Sequence, residues 1–331
     1  MKLRELNRTL LLRQLLLERK RISVPRAVAK LVALQAQYAP SPYVALWSRV
    51  EGLTKAQVDR ALARGSIVNA GTLRGTLHVM AGTEYPSIAA AYIDSQRGRV
   101  ANLGVDVESL RAAVPDEPLS GAEIRELASR VLATDDEWTI SFALRWLPFV
   151  RVPPAGPWPH TKPPPYVLRR DPLPGPGEAA VHVVRAYVAA HGPASREDIE
   201  QFTSFRIRQI APALERLRAL EGDDGQTYYD VPRAPVADAS VRAAVRFLPA
   251  FDSTILAHRD RSRIVPAEYV DEVFNKKNAT TRNTFTVDGF VAGAWRIEKG
   301  KLAVEPFAPL PLNWRREVDA EAERLRAFFA S

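Results

Sequence analysis

The sequence contains no cysteine in its 331 residues. This absence excludes disulfides, thiolate catalysis, iron–sulfur clusters and cysteine-based zinc sites. The five histidines form no HxxxH or HExxH pair, so we predict no metal site and no cofactor. No apolar stretch approaches the length of a membrane-spanning helix, about 18 residues. Arg13 and Gln14 interrupt the leucine-rich start and no cleavage site follows it, so we expect no signal peptide and a cytoplasmic protein without a membrane partner.

Basic residues outnumber acidic residues by 46 to 38, which gives a net charge of +8. Arginine supplies 37 of the 46 basic residues. Arginine is the better ligand for phosphate groups, and a basic domain is typical of nucleic-acid binding. A GC-rich genome favours arginine over lysine without any function, so composition alone leaves both explanations open.

The chain divides into four segments, at residues 1–82, 83–175, 176–240 and 241–331. The third is the clearest, with predicted helices over 177–192, 194–204 and 206–220 and a hairpin turn at Asp224 and Gly225. Three helices followed by a hairpin are typical of a winged helix-turn-helix. We therefore predict an α+β protein of tandem winged helix-turn-helix units with a C-terminal antiparallel β-rich domain.

The first two segments show looser versions of the same order. In the first, apolar spacing predicts helices over 4–19, from Ser23 to Ala39, over 41–50 and from Thr54 to Gly65, with a hairpin over 66–82. In the second, helices are predicted over 84–102, 119–132 and 139–149, before a proline-rich stretch at 153–165.

The fourth segment alternates apolar and polar residues. Turn signals lie at Asp288 with Gly289 and at Lys299 with Gly300, and a helix is predicted over 313–329. The tryptophans at apolar positions are expected in the core: Trp47, Trp146 and Trp295.

Four stretches together resemble the winged-helix family of bacterial DNA glycosylases, which includes enzymes of azinomycin resistance and of interstrand-crosslink opening. They are LVALQAQYAPSPYVALWSR, TLRGTLHVM, LPAFDSTILAHRDRSRIV and VDGFVAGAWR. The resemblance covers nearly the whole chain. It implies three tandem winged helices and a β-rich unit that cradle the DNA duplex, with a Gln-x-Gln or Gln-x-Asp catalytic pair. In this sequence the matching pair is Gln35 and Gln37.

Two glutamines suit the chemistry that this resemblance implies. Glutamine cannot be a general base, but an N7-alkylated purine is already a cationic leaving group and needs only a positioned water and nearby oxygens. No lysine stands out as a Schiff-base nucleophile, so we expect hydrolysis without strand cleavage. In a helix, residues i and i+2 point about 200° apart, so the pair converges only if the helix unwinds, as Pro40 and Pro42 would allow.

Other residues are candidates for binding DNA or supporting the site. An extended chain would align Arg259, Arg261 and Arg263 beside His258 on a hairpin, although a solvated hairpin tip would look the same. The further candidate DNA contacts are Arg74, Arg206 and Arg208, the last two being equally consistent with a solvated helix face. The candidate supporting residues are Asp252, which would otherwise cap a turn, His78, which would otherwise be a core residue, and Tyr38.

The sequence therefore favours a monofunctional DNA glycosylase that removes alkylated purines, either monoadducts or crosslinks, from double-stranded DNA. We expect it to be a monomer associated with the nucleoid. A non-catalytic winged-helix DNA-binding protein or transcriptional regulator is the alternative. A small-molecule-binding protein with the same fold is a third possibility.

Overall fold

The computed structural model describes residues 2–99, 104–152, 164–223, 225–275, 277–298 and 300–331. The predicted turn residues Asp224 and Lys299 lie outside these ranges. So do most of the proline-rich stretch and the end of the helix predicted over 84–102.

The first segment combines short helices with a β-hairpin. Its elements are α1 (Leu3–Arg13), α2 (Val24–Leu31), β1 (Leu34–Gln35), α3 (Ser41–Trp47), α4 (Lys55–Ala63), β2 (Ile67–Thr72) and β3 (Thr76–Ala81). The predicted hairpin is confirmed, since β2 and β3 pair antiparallel along their whole lengths. Thr54 caps α4 as predicted, and its N–H donates to the Gln57 side-chain oxygen at 2.9 Å.

Helix α1 is shorter than the predicted 4–19, and the prediction is wrong for its last turns. It ends at Arg13, and Leu15 has a left-handed backbone with φ 58°. The N–H of Leu16 donates to the carbonyl of Leu11 at 2.8 Å, a Schellman closure. Leucines continue past the helix end because Leu16 packs in the core beside Leu11.

The second segment adds two strands to the sheet of the first. Its elements are α5 (Tyr85–Arg99), α6 (Val107–Ala113), α7 (Gly121–Leu132), α8 (Glu137–Arg145), β4 (Phe149–Arg151) and β5 (Tyr166–Leu168). The capping box of Ser120 and Glu123 at the start of α7 is confirmed. The five strands form one antiparallel sheet in the order β1-β3-β2-β4-β5.

The third segment has the predicted order of three helices and a hairpin. Its elements are α9 (Pro176–His191), β6 (Ala194–Ser195), α10 (Arg196–Thr203), α11 (Ile207–Leu214), β7 (Arg218–Glu221) and β8 (Thr227–Asp230). The helix predicted over 206–220 is too long, because residues 218–221 pair with β8 as a strand. The winged-helix interpretation of the tandem units and their boundaries stays a prediction.

The fourth segment is an antiparallel β unit closed by a long helix, as predicted. Its elements are β9 (Arg246–Leu248), α12 (Ser253–Leu256), α13 (Val270–Val273), β10 (Phe274–Asn275), β11 (Thr280–Thr281), β12 (Asn283–Val287), β13 (Phe290–Glu298), β14 (Lys301–Pro306) and α14 (Leu312–Ala330). The main sheet has the order β14-β13-β12-β9. The α+β fold class is confirmed.

Buried clusters cross the boundaries between segments. One cluster joins α2, α3 and α4 to β9, β12, β13 and α14, and it includes the predicted core residues Trp47 and Trp295. A second joins the β2–β3 hairpin and α5 to the three helices of the third segment. Trp146 is half-buried and packs against a third cluster around α6–α8. Strand β3, which pairs with the glutamine strand β1, contributes side chains to both of the large clusters.

Candidate active site

Gln35 ends strand β1 and Gln37 lies in the bend that follows, so neither glutamine is at a helix end. Helix α2 stops before them, with Val32 at φ 69°, and β1 pairs with β3. The helix predicted to continue to Ala39 is therefore wrong. The chain leaves the helix well before Pro40, so the prolines are not the cause. An apolar run this short has no periodicity that separates helix from strand, and pairing with β3 decides the matter.

Both glutamine amides contact the β2–β3 hairpin, Gln35 at Arg74 and Gln37 at Leu77. Ala36, between the two glutamines, is buried, and its N–H donates to the carbonyl of Leu77 at 2.7 Å. The pairing with β3 thus continues up to Gln37. Helix α2 therefore ends before the pair, and pairing with β3 places both amides at the hairpin.

Gln35 is buried, and Arg74 fixes the orientation of its amide. Arg74 Nη2 donates to Gln35 Oε1 at 3.1 Å, and Nη1 donates to the carbonyl of Phe202 at 2.8 Å. The guanidinium also lies over the Phe202 ring, 5.0 Å from its centroid. Because an arginine nitrogen can only donate, Gln35 presents its oxygen to Arg74 and its Nε2 hydrogens remain for another acceptor.

The sequence predicted only a DNA contact for Arg74. In the structure Arg74 also holds the amide of Gln35. Burial lowers the pKa of Arg74 to about 10, so the guanidinium stays charged at neutral pH. Its backbone has φ 58°, a left-handed conformation that costs a non-glycine residue on the order of 1 kcal/mol. Arg74 positions Gln35, and its contact with DNA stays a prediction.

His78 completes this network in its neutral form. It is buried, with Nδ1 3.0 Å from the carbonyl of Thr76 and Nε2 3.1 Å from Arg74 Nη2. Since Arg74 can only donate, Nε2 accepts and Nδ1–H donates to Thr76. Burial, and then the charge of Arg74, lower the pKa of His78 to about 3. His78 supports Arg74 and is in no position to exchange protons near neutral pH.

We expect His78 to keep the neutral Nδ1–H tautomer in the folded protein from about pH 8 to about pH 5. The ¹⁵N NMR shifts of the two ring nitrogens measure this. In the urea-unfolded chain it should protonate near its ordinary pKa of about 6.5. Between about 6.5 and 3 only the unfolded chain binds this proton, so this group destabilises the fold as pH falls through that window. Double protonation of the folded-state ring between about pH 7 and 5 would contradict the assignment.

Gln37 is exposed, and a backbone group holds its amide. The N–H of Leu77 donates to Gln37 Oε1 at 3.1 Å. A carbonyl oxygen has two lone pairs, so one remains free to accept a hydrogen bond from water. No residue type in the sequence marks this donor, because every residue except proline carries a backbone N–H.

Tyr38, a predicted supporting residue, follows at the rim of a cleft. Its side chain is 54% exposed. The cleft has a volume of about 490 Å³ and is also lined by Phe251 and Trp295 of the fourth segment. The supporting role of Tyr38 stays a prediction.

Asp252 caps a helix and forms an internal ion pair, which answers the question that the sequence left open. Both of its oxygens accept from Arg49, at 2.7 and 2.9 Å, and its Oδ1 accepts from the N–H of Thr254 at 3.0 Å. Both side chains of the ion pair are fully buried. Burial acts to raise the pKa of Asp252, but Arg49 and Thr254 lower it overall. An inaccessible, paired carboxylate is a structural group.

The arginine row predicted after α12 is not formed. Residues 257–266 make turns instead of a hairpin, so the hairpin prediction is wrong. Arg263 is buried, donates to the carbonyl of Pro193 at 2.6 Å and lies 3.1 Å from Nε2 of the equally buried His258. Arg261 lies over Phe274, 4.1 Å from the ring centroid. Arg259 alone of the three arginines is exposed, and its DNA contact stays a prediction.

Arg206 and Arg208 are exposed at the start of α11, as a recognition helix would require. Ile207 between them is 48% exposed, and Arg208 lies 3.9 Å from Asp94. An exposed apolar residue between two arginines is compatible with a binding face. Their DNA contacts stay predictions.

Across the described ranges, no cluster of three or more histidine, aspartate or glutamate residues has the geometry to hold a metal ion. Within those same ranges, no helix combines the length and the apolar character needed to cross a membrane.

Comparisons with known proteins agree with one another. The family model described as "DNA glycosylase AlkZ-like" matches residues 28–328. A curated Streptomyces sahachiroi protein, named "Interstrand DNA cross-link repair glycosylase", is 26% identical over 147 residues, 41% of this chain and 38% of that protein. The match thus spans well under half of the relative's length. The solved structure of the DNA glycosylase AlkZ from Streptomyces sahachiroi superposes with a TM-score of 0.79 at 21% identity, over 99% of this chain and 97% of that one, and it shares the fold.

Proposed function

The chain belongs to the family of AlkZ-like DNA glycosylases, and from this premise we propose that it is a monofunctional DNA glycosylase. Its substrates are N7-substituted purines in double-stranded DNA, including bulky and interstrand-crosslinked adducts. The relative named for interstrand crosslink repair supports the crosslinked class. The observation that carries the proposal is the pair of neutral amides held at the β2–β3 hairpin, one of them exposed with its oxygen already oriented.

Neutral amides are sufficient for this reaction because the substrate supplies the leaving-group activation. Alkylation at N7 gives the base a positive charge, so it leaves with the electron pair of the C1′–N9 bond and becomes neutral. Water adds to C1′ and its proton passes to solvent. The protein has to position that water and to surround a cationic sugar with oriented dipoles. Undamaged purines lack the charge and should react very slowly.

The two glutamines have different parts in this mechanism. Gln37 Oε1 keeps one free lone pair, which accepts a hydrogen bond from the attacking water and directs the water oxygen to C1′. Gln35 Oε1 lies beside the cationic Arg74, which disfavours a second positive charge on the sugar nearby. Gln35 therefore acts through its Nε2 hydrogens, as a donor to an acceptor on the DNA.

Charge supports the duplex as partner. The chain carries a net charge of +8, and exposed arginines such as Arg206, Arg208 and Arg259 provide donors for phosphates. Phosphate contacts of this kind bind without sequence preference, which suits a repair enzyme that must examine any sequence.

The test is base release by the purified full-length protein. One duplex carries a single N7-methylguanine, a second carries a nitrogen-mustard interstrand crosslink, and an undamaged duplex is the control. Abasic sites are scored by alkali-induced strand breaks. We expect abasic sites in at least one damaged duplex and no strand break before alkali. Tight duplex binding with no base released from either substrate would support a non-catalytic DNA-binding protein instead.

A further inference from the structure

A cavity of about 240 Å³ opens beside the β2–β3 hairpin, on the side of α7, α8 and β5. The hairpin contributes Gly71, Gly75 and Leu77 to its wall. The half-buried ring of Tyr166 is an apolar surface inside it, and the exposed side chains of Arg125 and Arg145 line it as well. The cavity thus combines an apolar wall with two guanidinium groups.

This cavity is next to the candidate active site. Leu77 is one of its lining residues and holds Gln37 with its N–H. A Cβ atom placed on Gly75 would lie 3.4 Å from Arg145 Nη1, so the guanidinium of Arg145 lies against the turn that carries Arg74. A group bound by Arg145 would therefore sit beside the hairpin segment that orients both glutamines.

Neither arginine has a carboxylate partner in the described part of the chain. Arg125 makes one long hydrogen bond, at 3.5 Å, to the carbonyl of Gly121. Arg145 lies over the Phe142 ring, 5.2 Å from its centroid. Some exposed arginines elsewhere are neutralised, as Arg296 is by Glu298 at 2.6 Å. Two unneutralised guanidinium groups at one cavity favour an anionic ligand.

Gly71 also indicates a ligand at this wall. It lies within strand β2, where glycine weakens the strand because it has no side chain to pack. Its backbone does not have a positive φ, and no atom lies within 4 Å of the position where its Cβ would be. Neither backbone conformation nor crowding inside the protein therefore requires glycine here. The open space beside Gly71 leaves room for an external backbone to approach the strand.

We propose that Arg125 and Arg145 together bind one backbone phosphate of the DNA strand, adjacent to the nucleotide whose C1′ faces Gln37. The sugar next to that phosphate packs on Leu77 and Tyr166, and Gly71 lets the strand approach β2. This contact fixes the register of the damaged nucleotide against Gln37. It deepens the proposed function and rests on it.

The test combines protein and DNA substitutions, using full-length protein and a duplex with one tetrahydrofuran abasic analogue. Neutral methylphosphonates replace single phosphates on either side of the analogue. For the wild type, we expect one position to weaken binding by about tenfold, the value of a charge-assisted contact. The double variant Arg125→Ala/Arg145→Ala should bind about tenfold more weakly and be insensitive to the methylphosphonate at that position.

Two further variants sharpen the result. Arg315→Ala/Arg316→Ala removes two exposed arginines of α14 and controls for the loss of two positive charges. Gly71→Val adds a residue that favours strands, so it should fold normally and still weaken binding. Arg125→Ala/Arg145→Ala should also lower the slope of log affinity against log salt concentration by about 0.9, which corresponds to the loss of one phosphate contact.

The inference is overturned if Arg125→Ala/Arg145→Ala loses no more affinity than Arg315→Ala/Arg316→Ala, or if its methylphosphonate penalties equal those of the wild type at every position. Binding to the abasic analogue involves no base release, so the two proposals fail separately. Retained base release without this coupling removes only the phosphate site. Coupling without base release leaves a phosphate-binding site in a non-catalytic DNA-binding protein.

Discussion

Gln37→Ala is expected to lower single-turnover base release from an N7-methylguanine duplex by about 10²–10³-fold, the usual effect of removing one oriented hydrogen-bonding group from a transition state. The side chain is exposed and accepts a hydrogen bond from the N–H of Leu77. Thermal unfolding should therefore change little, since exposed substitutions usually alter stability by less than about 0.5 kcal/mol.

Two companion variants separate chemistry from structure. Gln37→Glu keeps an oxygen that accepts from Leu77 and from water, so it should retain much more activity than Gln37→Ala. Gln35→Ala should reduce base release less than Gln37→Ala, because the oxygen of Gln35 is already engaged by Arg74. Full activity of Gln37→Ala, with binding to the damaged duplex also unchanged, would remove Gln37 from the mechanism.

Asp252→Ala is expected to reduce the free energy of unfolding by about 3–5 kcal/mol, because it leaves a buried guanidinium without its counter-charge. Arg49 has no exposed side-chain surface and its remaining partners are neutral: Thr254 and the carbonyls of Gln14 and Ala45. Urea unfolding followed by circular dichroism measures the change. Base release per folded molecule should be unaffected.

The matched control is an exposed ion pair. Glu323 pairs with Arg326 on α14 and is 70% exposed, so Glu323→Ala should change stability by less than about 1 kcal/mol. Replacing both buried partners, as in Arg49→Met/Asp252→Leu, should recover much of the loss, since no unpaired charge then remains. If Asp252→Ala were fully stable yet inactive, Asp252 would belong to the chemistry and not to the scaffold.

Local signals in the sequence predicted much of the secondary structure. The capping box of Ser120 and Glu123, the Thr54 cap and the glycine-punctuated hairpin all depend on residues within a few positions of one another. Such signals can be recognised in the sequence because the hydrogen bonds of a cap or a tight turn are made by neighbouring residues. The same holds for the three helices and hairpin of the third segment.

Local signals failed where a distant partner decided the conformation. Nothing near Gln35 favours a strand over a helix until β3, some forty residues later, offers its hydrogen bonds. The alternating arginines after α12 look like an exposed hairpin, yet Arg263 turns inward because Pro193 and His258 provide buried partners. Burial of an arginine depends on what the rest of the chain brings to it, which spacing does not encode.

The sequence by itself determined the α+β class, the absence of cysteine chemistry, the excess of positive charge and the identity of the two glutamines as candidates. Only the tertiary structure decided how those glutamines are held. Arg74 and the N–H of Leu77 reach them across a β-pairing with residues about forty positions away. A backbone donor has no residue signature and a guanidinium has many possible partners, so their orientation becomes defined when the strands pair.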